Sequence, residues 1–294
     1  MMKSQSKTKQ ALLGILFFII AIFLISVVDT VCKFYTKELH SIQLVWGYFT
    51  GINLILWTFF FLKGEKLSKL KATERLILQI ARPAFLVFSI SSLFLGLTYL
   101  PIAEATAIGF VAPLFITVLS VPILKERVDI HRWCAVIIGL AGVMIIVRPG
   151  GAFWQLASIM PLLGALFFAL FQIMTRLLSA TENTYTTLFY TGLGGLGWSS
   201  LMVPFVWTTP FKIHFLVFLG TGTMGALAHL CMINAFDRAE ASLLAPYNYT
   251  KLLWVVFLGY WIFGDIPSLE MWVGAFIIVS AGFYVFYREK NLRN

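Results

Sequence analysis

Tyr247, Asn248, Tyr249, Thr250 and Lys251 place four hydrogen-bonding side chains and an ammonium inside an otherwise apolar run, "ASLLAPYNYTKLLWVVFLGYWIF". Lys251 stands about ten residues into that run, or ~15 Å at 1.5 Å per residue, which is half of a ~30 Å hydrocarbon core. A lysine at that depth costs ~2.5–3.5 kcal/mol and needs a partner or water. Two chemistries meet that need. Lys251 can line a cavity and hold a carboxylate or phosphate of a ligand, with Tyr247, Asn248, Tyr249 and Trp254 around it. Alternatively, it pairs with an acid elsewhere in the protein or snorkels.

Other polar residues carry similar alternatives. Asp29 and Lys33 are four apart, on one face of a helix, and are expected to pair. A boundary salt bridge, a gate and a proton site are the readings for Asp29. Gln172 and Arg176 repeat the spacing later in the chain. Glu104 and Glu240 each follow a short turn and open a helix. A carboxylate there favours the positive dipole end and caps free N–H groups; a gate is the alternative. His229 and Asn53 lie within apolar runs. Packing and interhelical hydrogen bonds account for both, with a ligand or proton contact as the other reading. Tyr99 and Trp254 can supply an aromatic wall for a planar or cationic ligand. Pro113 and Pro246 break or bend the helices that carry them.

These residues need long apolar elements to hold them. Of the 294 residues, 60% are hydrophobic and 12% charged, and mean hydropathy is +0.88. A soluble domain has roughly twice that charged fraction. Ten runs are long enough to cross a bilayer: 11–33, 42–62, 83–100, 105–124, 133–148, 158–178, 185–205, 215–235, 241–262 and 271–287. The expected fold is an all-α membrane protein. The segment 63–82 is basic and reads as surface-lying.

The net charge of +9 does not indicate nucleic acid, because the basic residues fill the gaps between apolar runs. Most of them fall on one side when ten spans alternate. The positive-inside rule then puts both termini in the cytoplasm of an inner membrane. The start reads as a signal anchor rather than a removable signal peptide. The three cysteines show no paired spacing, and no metal or cofactor is called for.

"AEAT" at Ala103 and "AEAS" at Ala239 stand 136 positions apart. Trp133 and Trp272, Ala141-Gly142 and Ala281-Gly282, and Glu126 and Asp265 correspond in the same order. Five spans per half force the second copy to insert inverted. The expected domains are therefore 1–149 and 150–294, two inverted five-helix repeats. A membrane-embedded enzyme is disfavoured: the chain has no Gly-x-Ser-x-Gly or His-Glu-x-x-His, and its histidines are dispersed.

The segment "LPIAEATAIGFVAPLFITVLSVPILKERVDIHRWCAVIIGLAGVMIIVRP" resembles the EamA-type transporters of the drug/metabolite transporter superfamily. The resemblance implies ten helices around a central cavity, alternating access and a small-molecule substrate. It implies a secondary transporter of an amino-acid-like or nucleoside-like metabolite, such as S-adenosylmethionine, or an exporter of drugs or amino acids. The expected partners are that substrate and the lipid bilayer. Proton or exchange coupling and a homodimer stay open.

Overall fold

The computed structural model describes residues 2–64, 70–124, 130–147, 156–179, 181–236, 238 and 245–293. Among them the regular elements are helices: α1 Met2–Tyr35, α2 Ser41–Leu62, α3 Leu76–Leu97, α4 Ile102–Gly109, α5 Ala112–Leu124, α6 Ile130–Val147, α7 Leu156–Ser179, α8 Thr184–Met202, α9 Lys212–Phe236, α10 Thr250–Phe263 and α11 Leu269–Arg293. Short 3-10 turns cover Val203–Val206 and Ala245–Tyr249. Among the described residues, six stretches are long and apolar enough to cross a membrane: Leu12–Tyr35, Ser41–Leu62, Leu76–Leu97, Ile102–Leu124, Ala157–Thr175 and Lys212–Met232. Two shorter apolar stretches are Val136–Ile146 and Leu269–Tyr284.

Local chemistry sets the breaks. Ile102–Leu124 is interrupted at Phe110 and Val111, between α4 and α5. Pro113 stands in the first turn of α5, where its missing N–H costs nothing internally but ends the ladder from α4. Pro246 lies in the 3-10 turn ahead of α10, so both prolines sit at breaks. Gly264, at φ 71°, closes α10 in the left-handed conformation that glycine tolerates, and its N–H donates to the Tyr260 carbonyl. α3 begins at Leu76, seven residues before the expected start at 83. Gln79 and Arg82 dilute the apolar run there, but tertiary contacts keep them helical. Leu70 is buried in the core, so the 63–82 segment is not wholly surface-lying.

Packing joins the early helices to the late ones. α3 lies along α7, α1 along α9, and α6 along α11, while α2 fits between α8 and α9. Glycines let these backbones approach. Gly51 of α2 meets Gly222 of α9 so closely that a side chain at either would strike the other's backbone. Gly194 of α8 accepts the Pro83 ring, and Gly96 of α3 accepts Pro161.

Polar clasps collect at two ends of the bundle. At one, Gln43 exchanges two hydrogen bonds with the Thr208 backbone. There too, His214 Nε2 lies 2.8 Å from Glu38 Oε2. The Phe211 N–H donates to His214 Nδ1, which leaves the imidazole proton on Nε2, facing the carboxylate. At the other end, Glu182 gathers the α3 entry. It accepts from Thr73 Oγ1 at 2.8 Å, from the Glu74 N–H at 3.0 Å and from Gln79 Nε2 at 3.5 Å. Burial pushes the Glu182 carboxyl up, but these hydrogen bonds and one from the Arg75 backbone outweigh it and hold it below the usual range.

Candidate functional site

Lys251 occupies the first turn of α10, just past the 3-10 turn, and its Nζ lies 2.7 Å from Asp29 Oδ2 of α1. The two side chains are 19% and 9% exposed. The contact is coulombic rather than a directed hydrogen bond. Four residues along α1, Lys33 Nζ lies 2.7 Å from Asp265 Oδ2 and 4.6 Å from the centre of the Phe263 ring. The expected Asp29–Lys33 pair is therefore replaced by two pairs across helices. Each acid finds an ammonium that sequence distance hides, because the α1–α10 contact brings both within reach.

Aromatic groups surround the inner pair. Trp254, three residues after Lys251, meets Phe23 of α1 edge-on at 5.1 Å. Its indole Nε1 is buried and has no hydrogen-bond partner among the described residues. Tyr247 and Trp254 both pack against the buried cluster of Phe18, Ile22 and Ala235. Tyr249 turns the other way, edge-on to Phe110 at 5.3 Å and stacked on Phe283 at 5.2 Å, with its hydroxyl over Gly282. Asp29 also acts electrostatically on Cys32 and Tyr48, which sequence reasoning did not place near it. A side chain at Gly225 of α9 would strike Tyr48.

Other expected residues fall elsewhere. Asn53 is buried, and its Nδ2 donates at 2.8 Å both to the Phe49 carbonyl and to the Gly192 carbonyl of α8, an interhelical bond. His229 is half-buried on α9. Glu104 is buried in the first turn of α4. Asn248 and Gln172 are exposed, and Tyr99 is 63% exposed. None of the three takes part in either ion pair. Glu240 and Glu126 lie outside the described residues, as does the Arg176 side chain.

Arg82 is the residue the sequence reading missed. Its side chain is 2% exposed, wedged between α3, α7 and α8. Nη1 donates to Thr175 Oγ1 at 3.0 Å, and Nη2 to the Thr187 carbonyl at 2.9 Å and to Thr191 Oγ1. The Phe171 ring lies 5.0 Å from the guanidinium carbon. An arginine inside an apolar helix is itself a signal. The expected run, 83–100, begins one residue past Arg82. A cleft of about 220 Å³ between α1 and α9, lined by Val31, Leu216, Thr221 and Met224, is apolar and separate from the ion pairs.

Opposite charges held among apolar helices are a feature found in solute transporters. The EamA-like transporter family model matches residues 12–148 and again 155–287. The chain belongs to that family, within the drug/metabolite transporters. It is 27% identical over 283 residues to a Rickettsia prowazekii protein named S-adenosylmethionine uptake transporter, covering 96% of this chain and 95% of that one. It is 33% identical over 195 residues to a Vibrio cholerae protein named riboflavin transporter, covering 66% and 65% of the two chains. A solved crystal structure with 17% identity superposes at a TM-score of 0.61 over 95% of this chain and 96% of the other, which speaks to the fold alone.

Proposed function

We propose that this protein is a secondary transporter, not an enzyme, that carries a small zwitterionic metabolite of the S-adenosylmethionine type across a bacterial inner membrane by alternating access. The Lys251–Asp29 pair carries the reading. A ligand carboxylate can replace Asp29 at Lys251, exchanging one buried anion for another at the same ammonium. The buried Trp254 Nε1 offers a donor to a ring nitrogen or hydroxyl of the ligand. Trp254 and Phe23, set edge to face, offer an apolar aromatic corner. The relatives named for S-adenosylmethionine, aligned over nearly the full chain, support the same substrate class.

The architecture we infer is ten spans in two inverted repeats, 1–149 and 150–294, with both termini cytoplasmic. The doubled family match supports it. So does the packing: α3 on α7 and α1 on α9 become equivalent contacts when the chain is shifted by five spans. The Glu182 end is then cytoplasmic and the Glu38 end external.

A thermal-shift screen of purified protein against S-adenosylmethionine, riboflavin, nucleosides and amino acids tests the substrate. We expect S-adenosylmethionine to raise the melting temperature, and the rise to vanish in Lys251→Met. The 33% identity to a riboflavin transporter favours a flavin as the second reading. A riboflavin shift that survives Lys251→Met would select it.

A further inference from the structure

We propose that Lys33 and Asp265 form the gate at the Glu38 end, and that it opens by an exchange of ion-pair partners along α1. The proposal rests on Lys251 as the ligand's carboxylate site and adds its coupling to access. Both charges of this stretch of α1 are now held across the helix boundary, Asp29 by Lys251 and Lys33 by Asp265. Asp265 sits on a fixed turn: Gly264 ends α10, and the Asp265 N–H donates to the Gly259 carbonyl at 3.2 Å. While both pairs stand, α1 is clamped to α10 at two levels. Lys33 covers the Phe263 ring at the outer level.

Separating α1 from α10 breaks both pairs, and a charge left alone in an apolar interior is costly. The spacing on α1 removes most of that cost. Asp29 and Lys33 are one turn apart and can pair with each other once released. Asp265, 25% exposed at a helix end, is left where water can reach it. Only Lys251 lacks a partner. A ligand carboxylate supplies one. Binding at Lys251 thus frees Asp29, Asp29 takes Lys33, and Lys33 leaves Asp265. The ligand and the gate are linked through three exchanges, and the one carboxylate left unpaired, Asp265, is the one that water reaches. By linkage, weakening the gate favours the ligand-ready state and the ligand favours the open gate.

Cys32 is a built-in reporter. It precedes Lys33, is 1% exposed and shares the Asp29 face of α1. A background variant with Cys134→Ser and Cys231→Ser leaves it as the sole thiol. In proteoliposomes of this variant, the labelling rate of Cys32 by a membrane-impermeant maleimide reads the gate. Asp265→Asn should speed labelling about tenfold, between the effects of breaking an exposed and a fully buried pair. The charge swap Lys33→Asp with Asp265→Lys should restore protection. Added S-adenosylmethionine should speed labelling in the background variant and not after Lys251→Met. Unchanged labelling in Asp265→Asn, or no recovery in the swap, overturns the gate. Such a result leaves the transport reading standing if exchange of S-adenosylmethionine persists. A gate that responds to Asp265→Asn but not to ligand overturns the coupling. Loss of the ligand's thermal shift in the background variant itself would instead count against the substrate reading.

Discussion

At the scale of single residues, local spacing misassigns the charges of α1. Asp29 and Lys33 look like partners because four residues bring side chains together on a helix. Each reaches further instead, to Lys251 and to Asp265. Sequence alone marked Lys251 as unusual, since an ammonium in an apolar run demands an explanation. It could not supply the partner, because that depends on which helices touch. Arg82 was missed for a related reason: its polar neighbours masked the start of α3, and its ligands Thr175, Thr187 and Thr191 come from two other helices. The Lys251–Asp29 contact predicts strong coupling in a double-mutant cycle. Lys251→Met should lower stability by about 2 kcal/mol, below the ~3–5 kcal/mol for fully buried pairs, because it strands a carboxylate. Adding Asp29→Asn should recover most of the loss. Thermal unfolding in detergent measures this, and additive losses would show that the pair is not coupled.

At the scale of elements, helices and their breaks were largely legible. Apolar run length gave the helices, and Pro113 and Pro246 marked where two of them are interrupted. Helix neighbours were not legible, because an all-round apolar helix does not say which face meets protein. Glycine is the partial exception. The α2–α9 contact at Gly51 and Gly222 predicts that Gly222→Val separates the two helices, at a cost of about 1–3 kcal/mol or more for overpacking. Gly197→Ala has no neighbour within 4 Å and should stabilise α8 by about 1 kcal/mol through helix propensity. Opposite shifts in unfolding temperature check the pair. The clasp at the α3 entry has its own signature. Glu182 titrates below the usual carboxylate range when folded, so the stability it adds is present above the unfolded value and is lost as pH falls through the folded one. Wild-type stability should therefore hold through neutral pH and fall at strongly acid pH. Glu182→Gln should flatten that acid limb. An unchanged limb would show that the clasp does not contribute.

At the scale of the whole molecule, the proposed inverted duplication would explain why matching phrases recur at Glu104 and Glu240 while their surroundings differ. On that proposal, shared features would serve the scaffold and the polar cluster in one copy the ligand. The second phrase falls outside the described residues, so the duplication rests on the doubled family match and the packing of α1, α3, α7 and α9. Tags at the two chain ends should report the same, cytoplasmic side. Tags on opposite faces would require an odd number of spans and would remove the inverted pairing.

The central claim is that Lys251 receives the charged group of a transported metabolite. Exchange of labelled against unlabelled S-adenosylmethionine in proteoliposomes tests it most directly. Wild-type protein should show saturable exchange, and Lys251→Met should abolish it while remaining folded and inserted. Equal exchange by both proteins would contradict the claim.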